Sequence, residues 1–269
     1  MDCYNNTPIV GELQTLSLNR GTYVGYKAQR LQMDGTPITT KADNVFFVVK
    51  RQWNDKNALI IKSLIDKYGI KIISMQVKPK DIFNNKEEII SFAKIVQCKN
   101  IVISMLPFKC ILGKENKFYE FINSLNTISN YYKENGMTLA YHHHNWEYIR
   151  LSNNKTRMEE LLSKTQKIKF VFDTYWTVKS SYNPIKQINE FNNRLLGVHL
   201  RDLTLYKKNI KVLSKDCELG KGIINFDEII DKSLRVGCKY FVIEQKSKTP
   251  YESIKISYQH LKDLKIVER

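Results

Sequence analysis

Five histidines occur in the chain, and three of them stand together in "YHHHNWEY", residues 141–148. Asp173 in "KFVFDTYW", His199 in "LLGVHLRDL" and Glu244 in "YFVIEQ" share one feature with that stretch, since each ends a short apolar run. A carboxylate at the end of a buried strand is costly unless it is paired, hydrogen-bonded or bound to a metal. Imidazole nitrogens with carboxylate oxygens and no thiolate suit Mn²⁺, Mg²⁺, Co²⁺ or Zn²⁺ better than copper(I) or an iron–sulfur cluster. Side chains alternate across a strand, so His142 and His144 share one face and His143 takes the other. The residues predict a mixed nitrogen and oxygen site of His142, Asp173, His199 and Glu244, with His144 beside it as a substrate contact or a support to the ligands and His143 packed outward. Trp146, Tyr148, Tyr175 and Trp176 follow the same strand ends; together they would make an apolar wall for the carbon face of a sugar. Singly, each of these residues has an ordinary structural use. Four ionisable groups at four successive strand ends are harder to read that way.

Such groups converge only if the strands that carry them are neighbours. Eight apolar runs recur along the chain: "ELQTLSL" (12–18), "NVFFVV" (44–49), "IKIISMQV" (70–77), "NIVISML" (100–106), "TLAYHHH" (138–144), "IKFVFD" (168–173), "LLGVHL" (195–200) and "YFVIE" (240–244). Helical patterns lie between them. "KNALIIKSLIDKYG" (56–69) is expected to bury Leu59, Ile60, Leu64 and Ile65 and to stop at Gly69, and "FYEFINSLNTISNYYKENG" (118–136) to stop at Gly136. Short returns such as "GIKII" and "GMTLA" are those of a helix leading back into a parallel strand. This alternation predicts an α/β fold, a single (β/α)8 TIM barrel forming one domain over residues 1–269, with catalytic groups at the C-terminal ends of the strands. Residues 19–43 make a poor first helix, so the first βα unit is expected to be irregular.

Composition narrows the classes. Lys and Arg number 43 against 27 acidic residues, a net charge of +16, but the lysines are scattered among Asn and Ile, so nucleic acid is not the expected partner. Five separated cysteines without a C-x-x-C pair suggest neither a disulfide framework nor a thiolate zinc site. No run approaches the roughly 18 apolar residues of a membrane span, and "MDCYNNTPIV" lacks the pattern of a secretory signal. The expectation is a cytoplasmic protein without a membrane partner.

On these residues the sequence is similar to the sugar phosphate isomerase/epimerase family with the xylose-isomerase-like barrel, whose members include tagatose epimerases and inosose dehydratases. "LAYHHHNWEY" resembles the family's "YHNHxFEF", "FVFDTYW" its "DxYW", "GVHLRDL" its "HLKD", "ELGKGIINFDEII" its "VGEGxxDWxxI", and "YFVIEQ" its "VEQD". The likeness covers the chain from about residue 56 onward. It implies a divalent ion, Mn²⁺ first among the candidates, held by one fifth-strand group together with Asp173, His199 and Glu244. Where the family commonly uses Glu, the nearest equivalent here is His142. It also implies an enzyme that transfers a proton next to a carbonyl through an enediolate, a sugar, keto-sugar or inosose isomerase or epimerase. In that scheme Glu244 is both ligand and catalytic base, Glu147 or His144 is the second proton carrier, and Arg201 orients a substrate oxygen. Trp146 and Trp176 contact substrate, and Lys246, with Lys221, adds positive charge near the mouth that favours an anionic sugar. The same site would serve a dehydratase that expels a β-hydroxyl, and a non-catalytic sugar-binding homologue is a further alternative. An endonuclease IV type of repair enzyme fits less well, because a histidine expected three residues after Asp173 is Trp176. Dimers are common in the family, so a homodimer is expected.

Overall fold

The computed structural model describes residues 53–68, 71–247 and 249–264. The strands in chain order are β1 (Met75–Val77), β2 (Asn100–Ile103), β3 (Thr138–His142), β4 (Lys169–Asp173), β5 (Leu195–Leu200), β6 (Asp202–Lys208), β7 (Lys211–Cys217) and β8 (Tyr240–Ile243). Six of them form one sheet in the order β1-β2-β3-β4-β5-β8, with every neighbouring pair parallel. The helices are α1 (Asp55–Tyr68), α2 (Pro79–Asn84), α3 (Lys86–Ile95), α4 (Phe108–Leu112), α5 (Glu115–Glu134), α6 (Arg157–Lys164), α7 (Thr174–Lys179), α8 (Pro184–Phe191), α9 (Phe226–Arg235) and α10 (Pro250–Asp263). Parallel neighbours need such crossovers, and the result is the six-stranded part of a β/α barrel that the last six expected runs form. The runs at 12–18 and 44–49, the irregular unit at 19–43 and the stop at Gly69 lie outside the described residues.

The period-two alternation of the strands sorts their side chains into two layers. Ile101, Ile103, Leu139, Tyr141, Phe170, Phe172, Val198, Leu200, Phe241 and Ile243 join the large core shared with the helices. Val102, Ala140, Val171, Leu196, Tyr240 and Val242 form a separate cluster inside the sheet's curve. Two residues further along β3 and β4, and at equivalent positions on β5 and after β8, that inner face presents His142, Asp173, His199 and Glu244.

Helix α1 departs from the expected burial. Among its described side chains Ala58, Ile61 and Ile65 are buried, the last as expected, whereas Leu59 and Ile60 are 60% and 53% exposed, and Leu64 lies outside the described side chains; the i, i+3, i+7 stripe that faces the core begins one residue earlier than the aliphatic run suggests. Helix α5 ends as expected, because Gly136 takes a φ of +79°, a left-handed conformation that costs glycine little. The antiparallel hairpin β6–β7 has no counterpart among the eight expected runs. Its strands are exposed toward the tip, so they show no hydrophobic face, and Asn209 with φ +55° makes the turn. Among the described residues no helix is long and apolar enough to cross a membrane.

Gly197 on β5 admits the ring of Tyr240, since a Cβ there would lie 2.1 Å from the ring's Cε2. Overpacking of this kind typically costs about 1–3 kcal/mol. Gly197→Ala is expected to lower the urea midpoint by that equivalent, and adding Tyr240→Val is expected to recover part of the loss.

Candidate metal centre

Strand register brings the site together. Asp173 on β4 is paired with His199 on β5, and His142 on β3 lies beside Val171 of β4. Glu244 follows β8, and its backbone N–H donates to the carbonyl of Leu200 at 3.0 Å. One potential ligand atom from each of His142, Asp173, His199 and Glu244 falls within 4.8 Å of the other three.

Each group is oriented by a neighbour. Asp173 caps the N-terminus of α7, its Oδ1 accepting from Trp176 N–H at 3.0 Å, which leaves Oδ2 as the free oxygen. Oδ2 lies 3.5 Å from His142 Nε2. The outward-facing His143 is fully buried among Phe172, Phe191 and Tyr148, and its Nε2 accepts the Asp173 backbone N–H at 3.0 Å. It thereby ties β3 to β4 at the ligand itself. His199 Nδ1 lies 2.6 Å from Glu244 Oε2.

The electrostatics favour a bound cation. Burial, reinforced by His199, holds the His142 imidazole down to about 3; burial and His142 do the same to His143 and His144, each down to about 3. Metal ligation requires neutral imidazole. Burial alone would raise the Glu244 carboxyl, but His199, Arg201 and His142 outweigh it and hold the group below the ordinary carboxylate range. Both ring nitrogens of His142 and Oδ2 of Asp173 are buried without a hydrogen-bond partner. Buried polar atoms are normally satisfied, and a divalent ion would satisfy these. The donor set, two nitrogens and two carboxylates without sulfur, fits such an ion.

The description of a xylose isomerase-like TIM barrel matches residues 26–264 of this sequence. The chain belongs to that family. An inosose dehydratase of Clostridium beijerinckii is 30% identical over 91 residues, which span 33% of this chain and 30% of that protein, so the likeness covers about a third of the relative's length. A sugar phosphate isomerase/epimerase from Parabacteroides distasonis superposes with a TM-score of 0.63 at 21% identity, covering 76% of this chain and 74% of that one. A xylose isomerase-like TIM barrel protein from Mycobacterium smegmatis, in complex with magnesium, superposes with a TM-score of 0.60 at 13% identity, covering 80% and 79%. These structures establish the shared fold.

Within this xylose isomerase-like barrel the remaining expected residues separate. His144 stands 4.9 Å from the His142 ring and 5.1 Å from Trp176, centroid to centroid, and His144 Nδ1 and Trp176 Nε1 are both buried without hydrogen-bond partners. Arg201 reaches the cluster, its Nη1 lying 3.5 Å from Asp173 Oδ2 and 3.4 Å from Glu244 Oε1. Trp146 is 37% exposed on the 3-10 turn Asn145–Tyr148, and Lys246 is exposed just after Glu244; among the described residues neither makes a hydrogen bond or ion pair to the cluster. Glu147 is fully buried, and its carboxylate accepts from Tyr141 Oη and from the His144 backbone N–H at 2.7 Å, which braces the turn after β3.

Two functional neighbours escaped the sequence reading. Asp202, fully buried, accepts N–H groups from Leu203, Gly220, Gly222 and Ile224 and so folds the "GKGI" loop; a Cβ at Gly222 would meet its Oδ1 at 2.2 Å. The Gly-x-Gly spacing at Gly220 and Gly222 was the available signal. Asp216 on β7 accepts from Arg201 Nε at 2.8 Å, and only the hairpin reveals it.

The three histidines with depressed pKa give a pH dependence. Below pH 6.5 the unfolded chain takes up protons that the folded chain refuses until about 3, so stability falls as pH drops through that window, by about 1.4 kcal/mol per histidine per pH unit. Urea unfolding in a chelator is expected to show markedly lower stability at pH 5.5 than at 7.5, with a shallower dependence in His143→Gln.

Proposed function

We propose that the chain is a divalent-metal-dependent enzyme, with Mn²⁺ the first candidate, that moves a proton at the carbon next to the carbonyl of a sugar, keto-sugar or inosose. The observation that carries this reading is the convergence of His142, Asp173, His199 and Glu244 at the ends of adjacent parallel strands. The fold family and its sugar phosphate isomerase/epimerase neighbours support it, and the magnesium complex of one neighbour supports the metal. In this reading residues 1–269 make one barrel domain.

When bound, the ion supplies Lewis-acid stabilisation of charge developing on the substrate oxygens. Glu244, kept ionised by His199 and Arg201, takes the proton from carbon. Of the two candidates for second proton carrier, His144, neutral and with a buried, unpartnered Nδ1, is favoured over Glu147, whose carboxylate is engaged by Tyr141 and the His144 backbone. Trp176 presents its indole N–H to a substrate oxygen, and its ring with that of Tyr175 closes the pocket against water. Arg201 directs a donor at the substrate's carbonyl side, and Trp146 and Lys246 contact the far end of the sugar at the rim. Proton return to the same carbon from the opposite face gives epimerisation, and return to its neighbour gives isomerisation.

A dehydratase on the same site is the second reading, favoured by the inosose dehydratase of C. beijerinckii. It shares the first step and ends by expelling a β-hydroxyl. The test is deuterium incorporation from D₂O, followed by NMR, over a panel of keto-sugars and inososes with Mn²⁺. Exchange that Glu244→Gln reduces by about 10²-fold or more is expected, and loss of water from the product selects the dehydratase. Exchange unaffected by that substitution, or none on any member of the panel, contradicts the proposal.

A further inference from the structure

Arg201 shares its guanidinium among three carboxylates, two of which are candidate metal ligands. Its Nε donates to Asp216 Oδ1 at 2.8 Å, whereas Nη1 lies 3.4 Å from Glu244 Oε1 and 3.5 Å from Asp173 Oδ2. The short contact is to the hairpin, and the long ones are to the metal centre. The guanidinium is a rigid plane, so the hold at Nε fixes how near Nη1 comes to the ligands. Stacking over Tyr175 at 4.5 Å and Trp176 at 5.3 Å restricts it to that plane. Asp216 is itself fixed by the hairpin register, paired with the buried Leu203, next to Asp202, which anchors the glycine loop.

We propose that Asp216 is a positioning residue that sets the affinity of the centre for a divalent cation by drawing the Arg201 guanidinium away from Asp173 and Glu244. The proposal rests on the reading of those two residues as metal ligands. Without Asp216, the remaining carboxylate partners of Arg201 are the ligands themselves. The guanidinium then settles onto them, neutralises the charge that attracts the ion, and places a like charge beside it. With Asp216 in place, the arginine stays close enough to meet a substrate oxygen and far enough to leave Oδ2 of Asp173 to the ion. The hairpin, exposed for most of its length, is thereby coupled to the chemistry of the barrel through one ion pair.

The test is calorimetric titration of Mn²⁺ into the metal-stripped full chain, with thermal melting to verify folding of every variant. Asp216→Asn is expected to weaken binding about tenfold, equivalent to ~1.4 kcal/mol, and Asp216→Glu to restore it to near the wild-type value. Arg201→Met is expected to bind more tightly than wild type, and adding Asp216→Asn to Arg201→Met to change nothing further. An unchanged affinity in Asp216→Asn, or equal weakening with and without Arg201, overturns the proposal. The double variant His199→Ala, Glu244→Ala tests the underlying reading separately: if it binds like wild type, or if neither wild type nor Arg201→Met binds at all, the ligand assignment falls and the proposal with it. Loss of binding in that double variant together with an inert Asp216→Asn removes the positioning role alone.

Discussion

Two carboxylates, Asp173 and Glu244, are confined at the strand ends beside His142, whose imidazole burial keeps neutral, and this concentrated negative charge is the constraint around which the rest of the centre is organised. Isolated buried charge is expensive. Arg201 offsets part of it, but Asp216 claims the shortest of the arginine's contacts, so the compensation is incomplete. Together with the unpartnered nitrogens of His142, the remaining charge describes a place for a cation. The barrel supplies the means, because parallel strands in tight register deliver the ends of β3, β4, β5 and β8 to one point.

The support for the ligands is built largely from backbone. His143 Nε2 takes the N–H of Asp173, Thr174 Oγ1 donates to the Arg201 carbonyl at 2.6 Å and accepts its N–H at 2.9 Å, and Asp202 gathers four N–H groups of the loop after the hairpin. Gln245, directly after Glu244, bonds Ser253 and Ser257 of α10, and Ser253 in turn donates to Glu218 at 2.6 Å. His143, Thr174 and Gln245, each directly after a candidate ligand, therefore lock the ends of β3, β4 and β8 in place. For His143 that placement follows directly from strand alternation.

The same alternation explains what could be read from the sequence. Apolar runs ending in His142, Asp173, His199 and Glu244 were legible because a period of two fixes both the strand and the face, and His143 was legible as the outward residue for the same reason. Glu147 was not, because the 3-10 turn Asn145–Tyr148 breaks the alternation just after β3 and swings the carboxylate to Tyr141. Nor was Asp216, since it meets Arg201 through a solvent-exposed hairpin whose alternating Leu, Tyr and Lys residues show no buried face. In α1 the aliphatic run marked the helix but not its inner stripe, which depends on the helix α3 it packs against.

Diffraction at the manganese edge from crystals grown with Mn²⁺ would test the central claim most directly. The account predicts a single strong anomalous peak per chain, contacted by His142, Asp173, His199 and Glu244. No peak there, or one held by other residues, would contradict it.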